Sequence, residues 1–297
     1  MPSKLKIHAA LLTVGLIYGA NYSIAKVVMP AYVGPFGVIF IRVIIGALLY
    51  WFIGYLQGGE KIKYKRDYLR LLGLAVFGVA VNQLMFFKGL SLTTPISASV
   101  IMTSSPITVL VVSYFVLKER ITLNKIVGIA LGATGAILLI GIDGFTLSSE
   151  TFLGNLFILI NAVSFSVYLV FVKPLMMRYK AITIIKWVFL FGMLMVLPFG
   201  FGEFSEVAWA DLPADAWWSL AYIVIGTTFL AYLLNTWALH YVSPSIVGYY
   251  IYLQPLFSAF IALSFRGDKL TLPEVLYALL IFTGVYLVSV RKTRGQP

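Results

Sequence analysis

The chain has 297 residues, of which 61% are hydrophobic and 11% charged, with a formal net charge of +11. A soluble domain carries about 25% charged residues and under about half apolar ones, so the composition argues against a water-soluble globular enzyme. Ten spans of about 20 residues would leave roughly 100 positions for loops and tails, which fits a polytopic membrane protein.

Apolar runs follow one another at Ile7 to Val28, Phe36 to Leu56, Leu69 to Leu90, Ile96 to Leu117 and Ile126 to Ile142. A second set covers Phe152 to Val172, Ile182 to Phe201, Trp217 to Leu239, Ser245 to Phe265 and Leu272 to Val290. Each is long enough to cross about 30 Å of hydrocarbon as a helix. Lys4 and Lys6 before the first run imitate a signal peptide, but the run continues to Lys26 with no A-x-A site, so it reads as the first membrane helix.

With a cytoplasmic amino terminus, seventeen of the 22 Lys and Arg fall inside, from Lys4 and Lys6 through Lys61 to Arg70, Lys118 to Lys125, Lys173 to Lys186 and Arg291 to Arg294. Lys26, Lys88, Arg266 and Lys269 fall outside and Arg42 within a span. This positive-inside asymmetry places both termini in the cytoplasm of a cell (inner) membrane and explains the basic charge without nucleic acid. Cysteine is absent, and two histidines, His8 and His240, are too few for zinc, so neither metal nor cofactor is expected.

The segment Thr93 to Ser99 aligns with Val242 to Gly248 at an offset of 149 residues, which also superposes Pro106 on Pro255, Glu119 on Asp268, Thr122 on Thr271 and Gly135 on Gly284. Near the front of each half an offset of 147 sets Tyr18 on Phe165, Asn21 on Tyr168 and Lys26 on Lys173. An odd number of spans per half makes the second half enter the bilayer from the opposite side. The expected fold is therefore an all-α membrane protein of ten transmembrane helices, arranged as two inverted five-helix repeats over residues 1–143 and 150–292.

V-L-K-E-R-I-T-L-N-K-I-V-G-I-A-L-G-A-T-G-A, from Val116 to Ala136, resembles the signature closing a repeat in EamA-type proteins of the drug/metabolite transporter superfamily. Y-G-A-N-Y-S-I-A-K, from Tyr18 to Lys26, is similar to the opening motif, with Tyr18 where an aromatic, often Trp, is usual, and Arg42 is similar to the family pattern. Asp268 stands where glutamate is usual, and the glycine pattern after it is thinner. The resemblance covers nearly the whole chain and implies a small-metabolite carrier with its cavity between spans three, four, eight and nine. Superfamily cargoes include amino acids, sugars, nucleotide conjugates and drugs.

Pro95 and Pro244 open spans four and nine, and eleven residues later Pro106 and Pro255 fall near the midplane, at about 16 Å of helix rise. A mid-helix proline frees the carbonyl four residues earlier, here Met102 and Ile251. Matched breaks in two repeats point to a transport site, while a plain structural kink is the alternative. Ser99, Thr103, Ser104 and Ser105 would line one wall, and Tyr249, Tyr250, Tyr252 and Gln254 the other. Asn82, Gln83 and Asn235 add amides that are expensive in lipid without a partner. Tyr18, Asn21 and Tyr22 suggest a gate or packing, and Arg42 an anion contact or a snorkelling side chain. Trp51, Trp209, Trp217 and Trp218 read as interface anchors. Gly15 and Gly19, with Gly128, Gly132 and Ala136, permit close helix packing.

Acidic residues sit at span ends: Asp143, Glu150, Glu203, Glu206, Asp211, Asp215, Asp268 and Glu274 outside, Glu60, Asp67 and Glu119 inside. Proton relays use intramembrane Asp, Glu or His, so transport driven by the substrate gradient is expected, or coupling through His240, Lys88 or Arg42. The expected function is an alternating-access exporter of amino acids or related amphipathic metabolites, with a small-molecule substrate and the bilayer as partners, acting as a monomer or weak homodimer. Rival readings are an exchanger of nucleotide-sugar or anionic metabolites, a passive pore and an intramembrane enzyme. The enzyme lacks an acidic cluster or a positioned nucleophile and base, so no catalysis is expected.

Overall fold

An apolar chain in hydrocarbon must satisfy its own backbone, and helices do this within one segment. The computed structural model describes residues 3–140, 149–266 and 272–289, and the apolar runs among them are helical. α1 (Lys4–Val28) is capped by Ser3, whose hydroxyl accepts from the Lys6 amide, and α2 (Pro35–Leu56) opens on a proline, where no intrahelical N–H is needed. α3 (Lys65–Ala75), a π-helical turn at Val76–Ala80 and α4 (Val81–Leu92) form span three. α5 (Pro95–Met102) and α6 (Ser105–Leu117) form span four, and α7 (Leu123–Ile140) closes the first set.

The second set repeats the order with α8 (Ser149–Met176) and α9 (Ala181–Ser205). α10 (Ala214–Ala221), a π-helical stretch at Tyr222–Leu230 and α11 (Ala231–Tyr241) form span eight. α12 (Pro244–Tyr249), a 3-10 turn at Tyr250–Tyr252 and α13 (Leu253–Arg266) form span nine, and α14 (Leu272–Ser289) ends the set. Among the described residues six continuous helices are long and apolar enough to cross a membrane: Lys4–Val28, Pro35–Leu56, Lys65–Leu92, Glu150–Met176, Ala181–Ser205 and Ala214–Tyr241. The broken spans four and nine and the shorter α7 and α14 complete two sets of five. Asp143, Asp268, Lys269, Thr271 and the basic tail Arg291, Lys292 and Arg294 lie outside the described residues, as do the side chains of Ala136, Arg266 and Glu274.

Contacts between equivalent helices fix the relative direction of the two sets. A methyl on Gly37, near the start of α2, would meet Glu203 near the end of α9, whereas one on Gly54, near the end of α2, would meet Lys186 near the start of α9. α2 and α9 therefore run antiparallel. On the other side of the molecule Gly135 of α7 lies against Tyr277 and Ile281 of α14, and Gly284 lies against Gly128 and Gly132. Adding 149 to Gly135, Gly128 and Gly132 gives Gly284, Tyr277 and Ile281, so one contact is the image of the other. The same exchange relates α4 on α8 to α11 on α1, and α6 on α8 to α13 on α1. The fold is an inverted repeat about a pseudo-two-fold axis.

Large apolar side chains including Leu48, Phe52, Phe199, Ile225 and Leu279 point outward, as a lipid-facing surface requires. The expected small-residue stripes are used inside the chain: Gly128 and Gly132 face α14, and Gly15 and Gly19 face α13. Trp218 is strongly exposed, while Trp51 packs edge-on against Trp187 and Trp209 lies between Phe204 and Trp217.

Both prolines are buried, so neither break faces lipid. Span four ends at Met102 and restarts at Ser105, with Pro106 in the first turn of α6, and the Ser105 carbonyl accepts from the Ser166 hydroxyl of α8. Span nine instead tightens into the 3-10 turn before Pro255.

Candidate functional site

Where the two sets meet, a cavity of about 60 Å³ is enclosed by spans one, two, three, four, six, eight and nine. α1 contributes Tyr18, Asn21 and Tyr22, and α2 contributes Arg42. α4 supplies Asn82, Gln83, Phe86 and Phe87, α5 supplies Met102, and α8 supplies Asn161 and Phe165. Thr227 and Tyr232 of span eight and Gln254 of α13 complete the lining.

The lining is held by hydrogen bonds between the repeats. Gln83 Nε2 donates to the Tyr232 hydroxyl at 3.2 Å, and these two residues are 149 apart, so the bond joins equivalent positions. The Tyr232 hydroxyl donates to the Gly78 carbonyl at 2.9 Å, within the π-helical turn of span three. In span eight the Tyr50 hydroxyl reaches the Thr228 and Phe229 carbonyls. π-helical turns displace carbonyls from their usual donors, and tyrosines satisfy them here. Asn161 Nδ2 donates to the Asn82 carbonyl at 2.6 Å and Asn82 Nδ2 to the Asn161 carbonyl at 3.4 Å. The Tyr22 hydroxyl donates to Gln254 Oε1 at 3.0 Å, tying α1 to α13.

Arg42 is 4% exposed; its Nε donates to Thr228 Oγ1 at 2.7 Å and its guanidinium lies 4.6 Å from the Phe87 ring centre. The ion pairs among the described residues are Arg70–Asp67, Lys125–Glu119 and Arg178–Asp67, so Arg42 has no carboxylate. A buried cation without a counter-charge is strongly unfavourable, and the aromatic face offsets only part of the loss. Asn21 Oδ1, Gln83 Oε1 and Asn161 Oδ1 are buried acceptors with no hydrogen-bond partner. The cavity thus offers one cation and several open acceptors within an aromatic wall.

Of the residues expected from sequence, Tyr18, Asn21, Tyr22, Arg42, Asn82, Gln83, Met102 and Gln254 come together here. Asn235 and Tyr250 line a neighbouring void of about 10 Å³ that shares Tyr18, Phe165 and Gln254 with the cavity. Tyr250 places its hydroxyl 2.6 Å from His8 Nδ1. Ser99, Thr103, Ser105, Pro106, Tyr249, Tyr252 and Pro255 are buried but line neither space. Tyr252 packs instead against Gly132 of α7. Among the possible coupling groups, only Arg42 reaches the cavity; Lys88 lies 5.9 Å from the Phe36 ring and His240 is exposed at the end of α11.

Asn161, Phe86, Phe87, Phe165, Thr227 and Tyr232 line the cavity without having been singled out from sequence. Asn161 carried the same signal as Asn82, an amide within an apolar run, and Phe165 is the repeat equivalent of Tyr18. No group of His, Cys, Asp and Glu able to hold a metal occurs among the described residues.

A solved crystal structure superposes with a TM-score of 0.74, covering 97% of both chains at 18% identity, a likeness of fold. The uncharacterized transporter YoaV of Bacillus subtilis is 25% identical over 292 residues, 95% of this chain and 96% of that protein. The Arabidopsis thaliana protein WALLS ARE THIN 1 is 25% identical over 341 residues, covering 100% of this chain and 85% of its own length. The model of the EamA-like transporter family matches residues 5–141 and 152–290, and the chain is a multi-pass membrane transporter belonging to that family.

Proposed function

We propose that the chain is a secondary carrier that exports small amphipathic metabolites bearing a carboxylate, amino acids among them, by alternating access. The single observation that carries this reading is Arg42, a buried guanidinium without a carboxylate in a cavity between the repeats. A substrate carboxylate would supply the missing charge in bidentate geometry. The open oxygens of Asn21, Gln83 and Asn161 would accept from an ammonium, and the aromatic wall suits an apolar body. The moving units are the repeats 1–143 and 150–292, the chain works as a monomer or weak homodimer, and both termini face the cytoplasm across the inner membrane. No catalysis is involved. No carboxylate lines the cavity among the described residues, which supports movement down the substrate gradient without a proton relay.

Counterflow of labelled amino acids in proteoliposomes tests the reading. Saturable counterflow is expected, with Arg42→Gln lowering uptake at least about 100-fold, on the order of the energy of breaking a buried charge contact. Arg42→Lys should recover only part, because an ammonium lacks the planar fork. Flux of carboxylate substrates unchanged in Arg42→Gln, or flux that does not saturate, would overturn it.

A further inference from the structure

A second concavity, of about 630 Å³, lies away from the substrate cavity between the ends of α1, α2, α9 and α11. Its floor is apolar, with Ile182, Leu233 and Leu234, and Trp237 and Tyr241 pack edge-on along one wall. Its rim carries Lys6, Lys180 and His240, all exposed; no acidic residue lines it among the described residues, and Glu60 beside it accepts from the Lys180 amide at 3.0 Å. None of these three makes an ion pair among the described residues.

We infer that this groove binds one anionic phospholipid of the cytoplasmic leaflet, its phosphate between Lys6 and Lys180 and an acyl chain on the Leu233 and Leu234 floor. Charge complementarity selects the headgroup, because a rim of unpaired cations attracts a phosphate diester that a zwitterionic headgroup partly cancels. The apolar floor suits a lipid and not a soluble phosphate, because apolar surface at membrane depth is covered by hydrocarbon and not by a polar solute. The aromatic pair sits where amphipathic rings meet headgroups. His240 links the groove to the transport pathway: its ring lines the rim while its carbonyl accepts from Lys173, so a seated lipid braces the last turn of α11.

The inference concerns a different surface from the proposed cargo site, and a binding readout separates the two. Delipidated full-length protein in detergent is titrated with phosphatidylglycerol or phosphatidylcholine and followed by melting temperature and native mass spectrometry. Phosphatidylglycerol is expected to raise the melting temperature and remain bound, and phosphatidylcholine to do neither. Lys6→Gln with Lys180→Gln should weaken phosphatidylglycerol about 30-fold, roughly 5-fold per lysine near a membrane surface. Lys61→Gln with Lys63→Gln, which removes equal charge outside the groove, should keep wild-type binding. Equal effects of the two lipids, equal losses in the two double variants, or a full shift with glycerol phosphate alone would overturn the inference.

Discussion

The two ends of the molecule are built from equivalent pieces and are tied differently. At the end rich in Lys and Arg, Lys173 Nζ donates to the carbonyls of Leu239, His240 and Val242, the last two at 3.2 and 2.8 Å, gripping the end of α11. At the far end its equivalent Lys26 makes one hydrogen bond among the described residues, to the Ser91 carbonyl at the end of α4, at 3.4 Å. The basic end adds Asp67, 1% exposed, which accepts from the Tyr179 hydroxyl at 2.8 Å and pairs with Arg70 and Arg178. Glu119 there accepts from Ser245 at 2.8 Å and pairs with Lys125. At the far end Tyr32, the equivalent of Tyr179, is 44% exposed, and Asp215 accepts from the amide of its own neighbour Ala216. Among the described residues the fold is symmetric and the closure is not. If the two closures alternate, as the proposed mechanism requires, the difference marks a conformation held more firmly at the basic end.

The sharpest way to break that comparison is Lys173→Met. A charged donor's hydrogen bond is worth about 1.5–3 kcal/mol, and the substitution leaves the end of α11 without its grip. The native chain has no cysteine, so one introduced thiol reports access without background. Val247 is 3% exposed and lines the small void beside the cavity. In Val247→Cys, labelling by a charged thiol reagent from the basic end should rise at least about tenfold when Lys173→Met is added, equal to about 1.4 kcal/mol. Unchanged labelling would mean that Lys173 caps a helix without holding a conformation.

The asymmetry was invisible in the sequence, although its parts were not. Offsets of 147 and 149 aligned Lys26 with Lys173, and the antiparallel packing of α2 on α9 follows from five spans per half. Arg42, Asn82 and Gln83 stood out because polar groups in an apolar run need a reason, and they line the cavity. Phe86, Phe87, Phe165 and Tyr232 did not, because aromatics are at home anywhere in a membrane helix. Tyr249 and Tyr252 line neither space, and for Tyr252 there is a geometric reason. An α-helix turns about 100° per residue and a 3-10 helix about 120°, so the turn at Tyr250–Tyr252 shifts the following phase by about 60°. The π-helical turns at Val76–Ala80 and Tyr222–Leu230 also move side chains off a regular helical face.

A smaller effect is expected from Tyr179→Phe, which removes the hydroxyl from Asp67 and leaves the ion pairs of Asp67 in place. Loss of this bond should lower stability by about 1–2 kcal/mol near neutral pH, read from the melting temperature. The pH dependence gives an independent check. Burial first, and then the bond to Asp67, hold the Tyr179 phenol above its usual range. A group with a raised folded-state pKa contributes its stability below the unfolded value, about 10 for tyrosine, and loses it as pH rises through the folded value. Wild-type melting temperature should therefore fall more steeply than that of Tyr179→Phe above about pH 10. Parallel curves would detach Tyr179 from the latch.

The smallest effect belongs to Lys26→Met. With one contact at 3.4 Å, Lys26 adds little to the conformation described here, and its loss should change melting temperature by no more than a typical surface substitution, within about 0.5 kcal/mol. Labelling of Val247→Cys from the basic end should change less than about twofold, because opening that end is governed by Lys173. Transport provides the contrast. If the closures alternate, Lys26 grips the end of α4 when the basic end is open, so its loss weakens the opposite state and slows counterflow while leaving this one undisturbed. Lys173→Met and Lys26→Met would then bias the carrier in opposite directions, and combining them should restore part of the balance lost in either. Equal labelling in the two single variants would show that the unequal contacts at the two ends carry no conformational preference.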